Sequence, residues 1–414
     1  MTMRWARAWR VAMGMHSTGR LVGADCASRL RLQGRAMSSS SSSVETMDAT
    51  GVTMVVVRHA QGGPAVRVVH ETPERLVGRE VVECVGAHAS RQDASTILLS
   101  PGDGDHGRGG TATVRWAGPD RGVGVDIETG GGAVEVGKVR YMPLRCVTGG
   151  GALSAGSVNA SSVEIQTMGG DVSAPTLSGS PMRVDTGGGG LRVSKLVAPE
   201  GVIRIGRGRM DIGSLFFGSC LTVDGEGGAV RIQTCEPSVP GSEGGLAIGT
   251  RGGPVHVQDA LSGRVSVATG GGPIDVKLDK PQGAALDARG SPDGGGTSGP
   301  VSLHLTSGQR YALTVTPPFM EGGPLVAASG SVREVRREER EDGGLTVWLE
   351  AGQPLAEESG SAVLRDNRPP EDRMAGGGRR QQWHAVTVHG PGDGLTVDVR
   401  SWMPTFTKRP STIA

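Results

Sequence analysis

Two carboxylates are the best candidates for chemistry in this chain. Asp185 and Asp224 stand at matching places in a recurring pattern, each just ahead of a glycine-rich stretch, in the contexts MRVDTGGGG and LTVDGEGG. Glu128 and Gln166 hold the same place in two further copies. If the copies stack as strands, two layers of about 4.7–4.9 Å put Asp185 and Asp224 roughly 9.5 Å apart, within reach of an inverting glycoside hydrolase. The competing reading is that both are solvated carboxylates on a water-facing strand. Gly206 in the intervening copy, and Gly249 and Ala268 beyond, favour the second reading. With six Trp, two Tyr and four Phe in 414 residues, such a face also lacks the stacking platforms of a sugar site.

Other reactive residues do not assemble. His256 and His304 fall on outward strand positions with no partner at ligand spacing. The cysteines (Cys26, Cys84, Cys146, Cys220 and Cys235) are odd in number and form no CxxC pair, which points to small thiols in a reducing compartment. Gly188–Gly190 and Gly270–Gly272 are followed by no helix-forming segment or GK[ST], so they are corners and not phosphate loops. Calcium-binding solenoids need Asp after each glycine corner, and that pattern is missing too. No metal and no cofactor is therefore expected. Lys and Arg number 43 against 42 Asp and Glu, leaving no field to steer the chain onto nucleic acid or an anionic membrane. No run of 18 apolar residues is present to span a bilayer.

The elements that must position these residues are repeats. VDIETGGGAVEV from Val125, MRVDTGGGGLRV from Met182 and VSVATGGGPIDV from Val265 are three copies, and weaker ones begin at Leu144, Val163, Leu221 and Leu246. Apolar residues stand four and two before the reference Thr, and again five and seven after it. Each copy carries a glycine pair: Gly131 and Gly132, Gly150 and Gly151, Gly169 and Gly170, Gly188 and Gly189, Gly227 and Gly228, Gly252 and Gly253, Gly271 and Gly272. An eighth, shortened copy around Ile203–Ile212 reads as having lost its pair. Alternation at period two makes each unit two short strands with one buried face, joined by a corner that a Cβ would obstruct. One unit cannot bury its face alone, so the copies must stack. The pattern predicts an all-β, single-chain parallel β-solenoid of about 19-residue coils with capping segments. A Thr column should form a hydroxyl ladder exchanging hydrogen bonds between coils. The alternative is an antiparallel β-sandwich or barrel in which TGGG is a hairpin loop.

These ΦxΦxT-x-GG-xΦxΦ repeats resemble the putative-adhesin family of Gly-rich β-solenoids, a domain of unknown function. With the Arg-rich leader in front of them, the chain is similar to that family's eukaryotic, mitochondrially targeted members. The resemblance covers about residues 120–280. It implies a right-handed β-helix-like domain and assigns no catalytic residue.

Around the repeats, residues 44–124 are expected to form an N-terminal β cap. Residues 281–414 are expected to form irregular C-terminal coils and a cap, with a mobile polar insertion at 356–382. Trp348, Trp383 and Trp402 are the large apolar groups expected to close that end. Cys235–Gly244 and residues 287–300 read as loops, and Val332–Asp342 as a solvated strand edge or turn. Function then divides into two classes. One is a non-catalytic scaffold binding a protein partner on the solenoid face; the other is a carbohydrate-active β-helix hydrolase or lyase using the outward carboxylates.

Residues 1–43 differ from all of this. They hold seven Arg and one acid, an amphipathic set of Trp5, Ala8, Trp9, Ala12 and Met13, and the serine run Ser38–Ser43. That composition is a mitochondrial transit peptide, with a plastid as the alternative address. A chain starting at Val44 is expected to melt as the full chain does, and residues 1–43 fused to a reporter should carry it into mitochondria. A melting temperature lower by many degrees after truncation would make the segment structural.

Overall fold

The computed structural model describes residues 44–48, 54–61, 65–69, 81–85, 87–92, 96–101, 111–117, 124–239, 244–260, 263–279, 281–290, 298–306, 309–316, 327–328, 332–340, 345–351, 383–389 and 395–400. All belong to the second of two compact units, Ser42–Ala414; the first, Met1–Ser41, and with it the segment 1–43 expected to be a transit peptide, lies outside the described residues. Every described element is a strand, and no helix is long and apolar enough to cross a membrane.

One coil shows how the sequence builds the fold. Strand Leu144–Thr148 runs to the glycine corner, Leu153–Ala155 leaves it, and Ser157–Asn159 follows after a bend. Each pairs parallel with its equivalents 19 residues away: Leu144 with Val125 and Val163, Leu153 with Val134 and Val172, Val158 with Val139 and Leu177. The repeated part is thus a parallel β-solenoid. Three walls close each coil, where two strands were expected. The third wall has its own inward ladder, Val139, Val158, Leu177, Leu196, Leu215 and Cys235, all at most 2 % exposed. It is hard to see in sequence because each coil gives it a single apolar position.

Several other expectations change. Cys235 and Pro237 are buried in strand Val230–Pro237 and do not begin a loop. The Thr column is buried, but its hydroxyls do not bond one another. Each closes its own corner by donating to the carbonyl three residues on, as in Thr148 to Gly151 at 2.6 Å and Thr186 to Gly189 at 2.6 Å. Bonds to the next coil's threonine carbonyl are longer, 3.3 Å from Thr148 and from Thr167.

The two glycines of a corner do different work. Gly188 has φ +113°, and a Cβ there would meet nothing within 4 Å. Gly189 has ordinary φ, but its Cβ would lie 2.2 Å from the Gly170 carbonyl oxygen in the neighbouring coil. The same collision, at 2.0–2.4 Å, recurs at Gly151, Gly170, Gly208, Gly228, Gly253, Gly272 and Gly299. The shortened copy therefore keeps the essential glycine, Gly208, and the segment read as a loop at 287–300 ends in another such corner, Gly299.

Neither end stacks in chain order. Strands Met54–Gln61 and Ala65–Val69 pair parallel with Gly124–Gly130 and Val134–Val136 on one side. On the other they pair with Thr96–Pro101 and Thr111–Ala117. At the far end, strands Trp383–His389 and Leu395–Arg400, two walls of one coil, lie between strands Pro281–Asp287 and Val301–Thr306 on one side and Arg310–Thr316 and Ala327–Ala328 on the other. Antiparallel strands finish each end: Val81–Val85 and Ala87–Arg91 at one, Leu345–Ala351 and Val332–Glu339 at the other. Among the described residues the charged strand Val332–Glu339 pairs on one side, and its exposed Arg336–Glu339 stretch is a solvated edge that resists sheet-to-sheet aggregation. Tyr311, fully buried, is the large group inside this end. Trp348 and Trp383 are half-exposed, each with an arginine 5.0–5.5 Å over its ring, and Trp402 lies outside the described residues.

Gly188→Ala should cost about 1–3 kcal/mol through backbone strain. Gly189→Ala should cost upwards of about 3 kcal/mol, because two coils must separate. Urea unfolding of both variants checks the order; equal costs would mean that the close approach is not limiting.

Candidate functional site

Parallel register places each expected site residue. Asp185 and Asp224 share one outward column two coils apart, with Arg204 between them: Asp185 pairs with Arg204, and Arg204 with Asp224. Gly206, expected in that gap, instead begins the corner. The expected acid pair is thus interrupted by a cation. Asp185 also has a local task, accepting a hydrogen bond from Gly187 N at 3.0 Å at the head of the turn. Gln166 stands beside Asp185 in register, and Glu128 is separated from Gln166 by Val147. The corner glycines lie along one ridge of the coils, as built above.

The outward columns pair charges between coils. Arg145 Nη1 is 2.9 Å from Asp126 and 3.7 Å from Glu128, and its Nε is 3.7 Å from Glu164. Donating a hydrogen bond to the Asp126 carboxylate raises the guanidinium's pKa. At this exposure each pair adds little stability; what they set is which coil sits beside which.

A tighter constellation lies on the second and third walls. Asp275 Oδ2 is 2.8 Å from His256 Nδ1, and Oδ1 is 3.0 Å from His304 Nε2. Strands Val255–Ala260, Ile274–Leu278 and Val301–Thr306 carry these residues on three successive coils, so one carboxylate clamps all three. Beside it Lys277 Nζ is 2.6 Å from Asp259, both side chains being under a quarter exposed. Hydrogen bonding by His304 is the largest cause that holds the Asp275 carboxyl below its ordinary range, with His256 adding to it against the cost of burial. The sequence offered these histidines no partner at metal-ligand spacing; the fold gives both an ion-pair partner in Asp275. Asp275 follows His256 by 19 residues, one coil, and that spacing was the missed signal. His304 lies 29 residues on, across the 287–300 segment, and its approach needed the fold. Among the described residues, no group of three or more His, Cys, Asp or Glu is arranged to hold a metal ion.

The thiols are mostly packing. Cys146 and Cys235 are fully buried, and burial raises both thiol pKa values, that of Cys146 to about 12. Cys220 is exposed, Cys84 pairs in register with Glu45 and Val114 at the N-terminal end, and Cys26 lies outside the described residues.

With the fold in hand, the chain is similar to two solved structures. One is a putative adhesin from Bacteroides fragilis, at 11% identity, covering 59% of this chain and 96% of that one, with a TM-score of 0.27. The other is a putative cell adhesion protein from Clostridium sporogenes, at 6% identity, covering 87% and 99%, with a TM-score of 0.17. No family model and no curated protein matches the chain. Likeness at this level says nothing about role.

The clamp has a pH signature. A depressed folded pKa at Asp275 contributes stability above the ordinary carboxylate range, and that contribution is lost as pH falls through the folded value. Asp275→Asn should therefore lower the melting temperature at about pH 5, and the difference from wild type should vanish by about pH 2. A difference that persisted unchanged in strong acid would show that packing, not charge, is at stake.

Proposed function

We propose that the protein is a non-catalytic β-solenoid scaffold that binds another protein along its outer face, and that it works in mitochondria. One observation carries the binding reading. The wall ahead of the glycine corners changes character along its length. Its first outward positions alternate in charge, Asp126, Arg145, Glu164 and Arg183. Further along, the same column reads Thr222, Ala247, Ser266 and Ala285, and beside it stand Gly249 and Ala268. All six are half-exposed and uncharged, and Asp224 and Asp287 bound the stretch in the second column.

A flat wall of short side chains fits a protein partner for two reasons. Covering it immobilises few rotamers, so little of the interaction energy is lost to ordering. Carboxylates at its margin supply the polar rim that such contacts use. In this reading Asp224 marks an edge and performs no chemistry. The mitochondrial address rests on the Arg-rich, acid-poor leader.

Ala247→Arg and Ala285→Arg should leave stability within about 0.5 kcal/mol, as for most surface changes. Both should abolish recovery of a partner that wild-type chain retains from isolated mitochondria, while Arg183→Glu should not. Recovery unaffected by either arginine would end the proposal for this wall. Turnover of a polysaccharide, lost in Asp185→Ala or Asp224→Ala, would replace it with the enzyme.

A further inference from the structure

Glycine in the middle of a strand weakens it, and is kept where the backbone or a close approach requires it. Strand Gly245–Thr250 holds two that the fold does not require. Neither Gly245 nor Gly249 has a positive φ. A Cβ on Gly245 would lie 3.7 Å from its nearest neighbour, and one on Gly249 3.9 Å, which are ordinary contact distances. The corner glycines that collide at 2.0–2.4 Å have no such freedom.

Gly245, Ala247 and Gly249 are the outward residues of this strand, so its outer face carries nothing larger than a methyl group. Strand Met210–Gly225 raises Cys220, Thr222 and Asp224 along one side. Strand Gly263–Ala268 raises Arg264, Ser266 and Ala268 along the other. The result is a shallow trough, one strand wide, running along the strands. Its two charges lie on a diagonal: Arg264 stands beside Gly245, and Asp224 beside Gly249. Four residues of strand separate them lengthwise, roughly 13 Å. Among the described residues neither forms an ion pair. Arg264 is exposed, and Gly283 on its far side, next to a register shift, offers no side chain either. Arg204, in register beyond Asp224, stands equally beside Asp185, and Arg251 at the corner pairs with Glu226 at 3.5 Å. That end therefore keeps a surplus of negative charge.

We propose that this trough takes an extended segment of a partner protein, with an acidic residue on Arg264 and a basic residue, four positions along, on Asp224. This rests on the reading that the wall binds a protein, and it names what that protein must present. In an extended chain residues i, i+2 and i+4 face one way, and the same four-residue rise spans the same distance. Acid and base thus reach their partners together, and the residue midway between them lies over the Ala247 methyl. Bare glycines on the floor let the incoming backbone approach closely. Arginine's planar fork meets a carboxylate through two hydrogen bonds, which fixes orientation as well as place.

Opposite charges at the two ends exclude other occupants. A nucleic acid or an anionic membrane would be drawn to Arg264 and repelled by Asp224. A sugar would find no ring to stack on, since the lining residues include no aromatic side chain. A small anion would use one end and leave both floor glycines without a role.

Selection of phage-displayed random peptides on the full chain tests the trough. Selected peptides should carry an acid and a base four positions apart, in either order because a strand can lie in either direction. Selection on Arg264→Glu should instead return bases at both positions. The filled variant, Gly245→Val with Gly249→Val, should weaken a selected peptide by at least about tenfold while melting at or above the wild-type temperature. Peptides without that spacing, an unchanged consensus on Arg264→Glu, or normal binding by the filled variant overturns the trough. So does a filled variant that melts many degrees lower, because the glycines would then serve the fold. Self-association of the wild type that the filled variant loses would give the trough to a second copy, and overturns it as well. The wall reading is judged separately. A mitochondrial partner lost in Ala247→Arg, but kept in the filled variant and in Arg264→Glu, leaves the wall standing and removes the trough.

Discussion

A carbonyl oxygen in one coil occupies nearly the space where a Cβ in the next would be. At Gly170, Gly189 and Gly208 that separation is 2.2 Å or less, far inside any contact a side chain tolerates. Strand spacing sets how close adjacent coils must come. At a narrow corner, with the backbone turned edge-on, no room remains. Glycine in this column is the condition for stacking at all, and so for burying anything. The adjacent glycine relieves a different difficulty, a φ near +110° that other residues resist. The buried Thr hydroxyl then satisfies the corner carbonyl that stacking takes away from water.

Once the corners permit stacking, the interior is nearly one-dimensional. Val, Ile and Leu repeat along each wall, and few rings are needed because each coil encloses a thin core. Outward positions inherit the same register without its packing constraint. That freedom lets Arg145 sit among three acids, and Asp275 between two histidines, in neighbouring coils. Such contacts add modest stability individually. Their larger effect is to oppose a slip of one coil, which would set like charges side by side.

The ends follow another logic. A parallel ladder leaves unpaired backbone at each terminus, which invites further strands. Here each end is closed by antiparallel strands that reach the ladder through a layer supplied from elsewhere in the chain, Met54–Val69 at one end and Trp383–Arg400 at the other. Closure therefore depends on segments far apart in sequence.

Periodicity in the sequence alone determined the parallel coil, its 19-residue spacing, two of its three inward ladders and the glycine corners. These are local: a two-residue alternation and a corner recur until stacking is the one way to bury them. The same period would have paired His256 with Asp275. Hidden from it were the third wall, with one apolar residue per coil, and the different reasons for the two glycines. Tertiary structure alone decided that Arg204 parts Asp185 from Asp224, that His304 joins Asp275, and that strands Trp383–His389 and Leu395–Arg400 lie beneath the cap. Each depends on register after a bulge or an insertion, where counting residues no longer gives position in space.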